Sequence, residues 1–173
     1  MRTQEHLKLS SMAALIAAPW LKTAVWIPLA ASIFIDVDHY LWHALVHRTL
    51  SLKAALRYFA QADPPQLPEA RLLHHPLVLG LLLWLAVRTR SRLLGLILAG
   101  FLFHVSLDVF HVKQMGHLKR TLSAQAKHIC LQCEQQFAAL QLHTVYYAPL
   151  LDRYNPQHFV VLCPTCHERA HQI

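Results

Sequence analysis

All four cysteines of this 173-residue chain fall into two C-x-x-C pairs, Cys130 with Cys133 and Cys163 with Cys166, with 29 residues between the pairs. Each short loop presents two thiolates at the bite of a tetrahedral ion, so the pattern reads as a closed four-cysteine zinc site rather than a disulfide framework. The segment that carries it, from Lys127 to Ile173, is too short to bury a core of its own. Zinc there would supply folding free energy directly. Thiolate ligands also favour a reducing compartment, which points to a cytoplasmic C-terminus, whereas Arg88, Arg90 and Arg92 in a short loop favour the opposite rim as the cytoplasmic one.

The rest of the chain is of another kind. Apolar stretches run from Leu9 to Ile35, from Pro76 to Val87 and from Leu93 to Phe110, and the composition changes near His111. Lys22 and Pro28 interrupt the first stretch, which divides it into two helices with a turn near Leu21 to Thr23. Four short apolar helices result. Over the whole chain 55% of residues are hydrophobic and only 14% charged, which favours a membrane over water as the surroundings of these helices. A soluble bundle with a very apolar core is the alternative. The net charge of +7 draws the surface to anionic lipid headgroups or to nucleic acid, and charge alone does not separate the two. Between Tyr40 and Leu73 lies a more polar insert, with a helical pattern over Leu50 to Gln61 and then a proline-rich loop, ADPPQLPEA.

The ionisable residues of the apolar region are clustered. His6 precedes the first helix, Asp36, Asp38 and His39 follow the second, His74 and His75 precede the third, and His104, Asp108 and His111 lie at the end of the fourth. If the helices alternate in direction, all of these reach one rim, while Lys22, Arg88, Arg90 and Arg92 occupy the other. Local spacing agrees: His104, Asp108 and His111 stand at i, i+4 and i+7, and Asp36, His39 and His43 at i, i+3 and i+7, so each trio shares a helix face. Carboxylates and imidazoles beside hydrocarbon are costly unless paired or metal-bound, so the rim reads as a functional site whose donors suit Zn, Mn or Fe. Asp36, His39, His74, His104 and Asp108 are the candidate ligands. His6, Asp38, His75 and His111 form an outer layer or serve a second ion.

The motifs IDVDH, LLHHP and FHVSLD resemble those of the membrane-bound metal-dependent hydrolases, over roughly residues 6 to 111. The resemblance implies hydrolysis of a phosphoester or similar bond at the membrane surface, with Asp36, Asp38, His39, His74, His104 and Asp108 as the catalytic group. The second motif departs from the family, which carries a His-Arg and a later His-Ser where this chain has His74-His75-Pro76.

In the C-terminal segment, apolar alternation around Leu140 to Tyr147 suggests a strand, Phe159 to Leu162 a second, and CHERAHQI a closing helix. This strand, strand, helix order around the cysteines resembles the ββα-metal module of the HNH endonucleases. The resemblance implies a divalent ion on His143, His167 and His171. It puts Thr144 at the position of the family's general-base His, and a threonine hydroxyl cannot accept a proton near neutral pH. His158 stands at the position of the family's Asn.

The expectation is thus a mainly α chain. Residues 1–112 would form a membrane-embedded domain with a His/Asp rim, 113–126 a basic linker with Lys113, Lys119 and Arg120, and 127–173 the zinc-bound ββα module. The expected location is an inner membrane of bacterial type. Three functions compete: metal-dependent hydrolysis at the rim, with lipids and a phosphoester substrate as partners; a membrane-tethered HNH-type protein that binds nucleic acid weakly or cleaves it; and a non-catalytic metal-binding scaffold.

Overall fold

A computed structural model describes residues 3–59, 71–146 and 148–171. The chain is mainly helical and divides into two compact units, Met1–Val109 and Phe110–Ile173.

In the first unit, α1 (Thr3–Leu21) and α2 (Trp26–Phe34) are joined by a 3-10 turn over Lys22–Val25, and Lys22 in the left-handed region (φ 52°) ends α1. The break falls where the expected turn does. Two residues later α3 (Val37–Val46) begins, and α4 (Leu52–Phe59) folds back onto it. The helical pattern expected to Gln61 is therefore present as far as Phe59, and the proline-rich loop lies outside the described residues. Helix α5 (Pro76–Thr89) starts with proline at its first position, where the missing N–H costs nothing, and ends on Arg90 in the left-handed region. Helix α6 (Arg92–Gln125) is 34 residues long.

Two helical stretches, Gln4–Val46 and Arg92–Gln125, are long and apolar enough to cross a membrane, and only 6% and 17% of their most apolar windows are buried. Helices at the core of a soluble protein would be mostly buried. Here Leu15, Trp20, Trp26, Phe34 and Leu77 stand exposed, each at two-thirds or more. What little is buried in this unit includes an unusual share of polar groups, among them His6, Ser10, Ser32, Asp38, His43 and His104. The inside is thus polar at one place and the outside apolar, the inverse of a water-soluble bundle.

The expected basic linker is not a separate segment. Residues 113–125 continue α6 without a break, and the unit boundary falls between Val109 and Phe110. No proline interrupts this stretch, and its Leu, Lys, Arg, Gln and Ala content suits a helix.

In the second unit, β1 (Gln141–Thr144) pairs antiparallel with β2 (Phe159–Leu162), in the register Gln141 to Leu162 and His143 to Val160, and α7 (Pro164–Ala170) follows. The core is small: Cys130, Leu140, Val161, Leu162, Cys163 and Cys166, flanked by Leu122, Phe137 and Leu142. Three of its six buried members are cysteines, so the cysteine cluster and the core are the same place.

Candidate metal centre

Four segments of the first unit bring their polar residues together. The side chains of His74, in the turn before α5, and His104, on α6, are 8% and 1% exposed, and each has a buried Nε2 atom with no hydrogen-bond partner. Their other ring nitrogens are committed. His104 Nδ1 donates to the carbonyl oxygen of Ser32 at 2.7 Å, and His74 Nδ1 donates to Asp38 Oδ2 at 3.2 Å. Both Nε2 atoms therefore carry lone pairs in the neutral rings.

Those lone pairs face carboxylates. His104 Nε2 lies 3.3 Å from Asp36 Oδ1 and 3.6 Å from Asp108 Oδ2, and His74 Nε2 lies 3.5 Å and 4.0 Å from the same two oxygens. Asp36, His74 and His104 form one group within 4.8 Å that could hold a metal ion, and His6, His104 and Asp108 form another; such acceptors repel one another unless a cation or a proton lies among them. With ligand bonds of about 2.1 Å, the edge of a tetrahedron is about 3.4 Å, and the observed separations cluster there. The donor set of two imidazoles and two carboxylates fits a divalent ion such as Zn, Mn or Fe.

An outer layer orients the four. Asp38 is 6% exposed and accepts three hydrogen bonds, from the Leu73 N–H at 2.8 Å, His74 Nδ1, and His39 Nδ1 at 2.6 Å. It is the carboxylate behind a ligating histidine, which fixes the tautomer and raises the basicity of the ring. On the other side, His6 stacks on His104 at 4.0 Å and its Nε2 reaches Asp108 Oδ1 at 3.0 Å. His74 is held above its ordinary value: burial lowers it, but the Asp36 and Asp38 carboxylates beside it outweigh that.

Not every expected residue joins. His39 faces Asp38 and Phe59, with its ring 5.2 Å from that of His74, and Asp38, His39 and His74 form a further group within 4.8 Å that could hold an ion, separate from Asp36 and Asp108. His75 caps α5, its Nδ1 accepting from the Leu77 N–H. His111 belongs to the second unit, where Nδ1 meets the Tyr154 hydroxyl at 3.0 Å and Nε2 meets Arg153 at 3.4 Å. One helical turn past Asp108 is enough to carry it out of the group. His43 packs against His47 and Tyr58 instead of following Asp36, because α3 begins only at Val37. The Ser32 carbonyl and the Leu73 N–H are not legible in the sequence, being backbone groups. The Ser10–Ser32 hydroxyl pair, 2.7 Å apart and buried, carries no motif.

In the second unit the four cysteine sulfurs lie within 4.8 Å of one another and could hold a zinc ion. Cys133 and Cys163 Sγ are 3.9 Å apart, close to the edge of about 3.8 Å set by Zn–S bonds of about 2.3 Å. No disulfide forms among them. Burial raises the Cys130 thiol, yet backbone N–H groups, including Cys163 N at 3.2 Å, bring it down to about 6. Cys166 is pushed up to about 12 by Cys163 Sγ, burial and the neighbouring sulfurs. Only a cation lets all four be thiolates at once. His143, His167 and His171 form another group within 4.8 Å, with His171 and His167 Nε2 3.3 Å apart. His143 is held below its ordinary value by burial and by His171, and its Nδ1 is buried without a partner. Thr144 pairs with Phe159 in the hairpin. His158 is hydrogen-bonded to Asp152 at 2.7 Å.

Set against family models, curated proteins and solved structures, the chain matches none.

Proposed function

We propose that this chain is a membrane-associated metal-dependent hydrolase whose reaction centre is Asp36, His74, His104 and Asp108. The observation that carries the reading is the pair of buried, unpartnered Nε2 atoms of His74 and His104, both aimed at the same two carboxylates. Asp36, His74, His104 and Asp108 would hold a divalent ion there, which would supply Lewis acidity toward a phosphoryl oxygen and bring the pKa of water toward neutrality. The chain's own groups do the rest. Ser32 and Asp38 hold the two ligating rings in the tautomer that presents Nε2 inward, and the stacked His6 closes the side facing Asp108.

On this reading four apolar helices, α1, α2, α5 and α6, span or line a bilayer with the metal at one rim. The second unit is an HNH-like ββα module on the cytoplasmic side. The bond cleaved is a phosphoester: water oxygen bonds to phosphorus, the bond from phosphorus to the leaving oxygen breaks, and that oxygen takes a proton from the water.

The test is metal analysis of the full chain purified in detergent, beside hydrolysis of a water-soluble phosphodiester. The parent should hold zinc at the cysteines and a further divalent ion. His104→Ala should lose the second ion, keep the zinc, and lower hydrolysis about 100-fold or more. Unchanged metal content in His104→Ala would sink the proposal.

A second reading is favoured by the His143, His167 and His171 group: a divalent ion there binds the phosphates of nucleic acid. With Thr144 where a base would stand, cleavage should be slow, since a positioned base contributes about 10²- to 10⁴-fold. Rapid metal-dependent nicking of DNA by the full chain, abolished by His143→Ala, would reverse the order of the two readings.

A further inference from the structure

An apolar groove of about 460 Å³ lies in the first unit between α2 and α6, lined by Trp26, Ala30, Ala31 and Phe34 on one side and Ile97 and Phe101 on the other. Its place relative to the metal ligands follows from helix geometry. On α6, Ile97, Phe101, His104 and Asp108 stand at i, i+4, i+7 and i+11, a stripe that stays on one helix face. The groove side of that stripe is apolar and its continuation is the metal site, with Phe101 and His104 about 4.5 Å apart along the axis. On α2 the order is the same: Phe34 lines the groove and Asp36 follows two residues later. Two contacts join the helices along the same line. Gly100 lies against Pro28 and Ala31, and the next polar contact along the seam is His104 on the Ser32 carbonyl.

An open apolar groove on lipid-facing helices, in line along both helices with a cluster of acceptors suited to a cation, matches one kind of molecule: a hydrocarbon chain ending in an anionic head. We infer that the groove seats an acyl chain of a lipid phosphoester, and that the phosphoester of the same molecule lies against the Asp36, His74, His104 and Asp108 centre. The inference rests on the hydrolase reading for what happens to the head, but the seat for the chain is a binding claim of its own. Trp26 marks the far end of the groove and is 67% exposed, so the chain enters from the side, out of the surrounding bilayer. Ordinary bilayer lipid would cover this groove no differently from the exposed faces of α1 and α5. Selective occupancy is what separates a seat from a solvent.

The experiment uses the full chain in phosphatidylcholine vesicles containing a phosphatidic acid with a photoactivatable diazirine in its acyl chain. Peptides containing Ala30 to Phe34 and Ile97 to Phe101 should be labelled several-fold more than those around Leu15 on α1 or Leu83 on α5. Ala30→Trp fills the groove and should cut that label about 5-fold or more, with Ala30→Leu intermediate. In the same variants the ratio of long-chain to water-soluble phosphoester turnover should fall about 10-fold, which removes general loss of activity from the comparison. Retained rim metal reports that the variants are folded. Leu83→Trp should change neither label nor ratio. Label spread evenly over α1, α5 and α6 would overturn the inference, as would an unlabelled groove closed by a second copy of the chain. If water-soluble esters are cleaved and Ala30→Trp leaves the ratio unchanged, the seat is wrong and the hydrolase reading stands. If the groove labels selectively, loses label in Ala30→Trp, and no phosphoester is cleaved, the seat stands and the hydrolase reading falls.

Discussion

Asp38 touches no atom of the inner four except through His74, yet it accepts three hydrogen bonds and is nearly inaccessible to solvent. Its effect on the centre is to hold the His74 ring in one tautomer and one orientation. Asp38→Asn keeps the shape and loses the charge, so it should weaken rim metal binding about 10- to 100-fold while leaving the cysteine zinc in place, as read by competition with a chelator. His74 adds a pH dependence of known sign. In the metal-free chain its pKa is raised above 6.5, so the stability it contributes is complete below that value and is lost as pH rises through the higher folded value. Metal binding needs the neutral ring, so affinity should rise over the same interval. Thermal unfolding of the metal-free and metal-loaded chains from about pH 6 to 9 should therefore show opposite slopes, and parallel slopes would remove His74 from the centre. The histidines and aspartates of the rim are legible in the sequence because their types and spacing carry the chemistry. Which of them lie innermost is not, since His39 and His74 differ only in the direction their rings take from neighbouring turns.

Among the elements, α2 meets α6 closely at Gly100. A side chain at Gly100 would overlap the Pro28 carbonyl oxygen and come within 2.8 Å of the Ala31 Cβ. Small residues at such crossings let helices approach closely where lipid gives no hydrophobic drive to associate. Gly100→Ala should accordingly cost about 1–3 kcal/mol, measured as a lowered unfolding temperature in detergent, and should loosen rim metal as His104 moves off Ser32. Gly95→Ala, with open space around it, serves as the comparison and should be silent. The turn after α1 and the two short strands can be read from Lys22 and from the alternation near Leu142 and Val160, because each depends on nearby residues. The unbroken run of α6 through 113–125 cannot. A drop in hydropathy after Phe110 marks a change of surroundings, and a helix can pass through such a change without ending.

For the molecule as a whole, each of the two units has its own groups that could hold a metal ion, and the two are built differently. The second unit has few buried apolar side chains, and its cysteines are half of the innermost ones. Cys163→Ser should release the zinc and leave residues beyond about 126 sensitive to protease, while the helices of the first unit stay protected. A folded, protease-resistant second unit without metal would show that the hairpin and α7 suffice. The two-part plan is visible in composition alone, since every cysteine lies on one side of residue 112 and every long apolar run on the other. The boundary itself, at Val109, falls a few residues earlier than composition places it, because a continuous helix offers no punctuation.

The inner ligands come from positions 36, 74, 104 and 108, and the sulfurs from 130, 133, 163 and 166. During synthesis the first half of each set emerges from the ribosome long before the second. A nascent chain halted after α5 carries Asp36 and His74 without His104 or Asp108, and so has only half a claim on an ion. An ion at the rim would thus have to wait until α6 has been made, and an ion on the thiolates until Cys163 and Cys166 have followed. Incomplete chains would be poor metal scavengers as a result, and two ions, if held, would be acquired in the order in which the two ligand sets are translated.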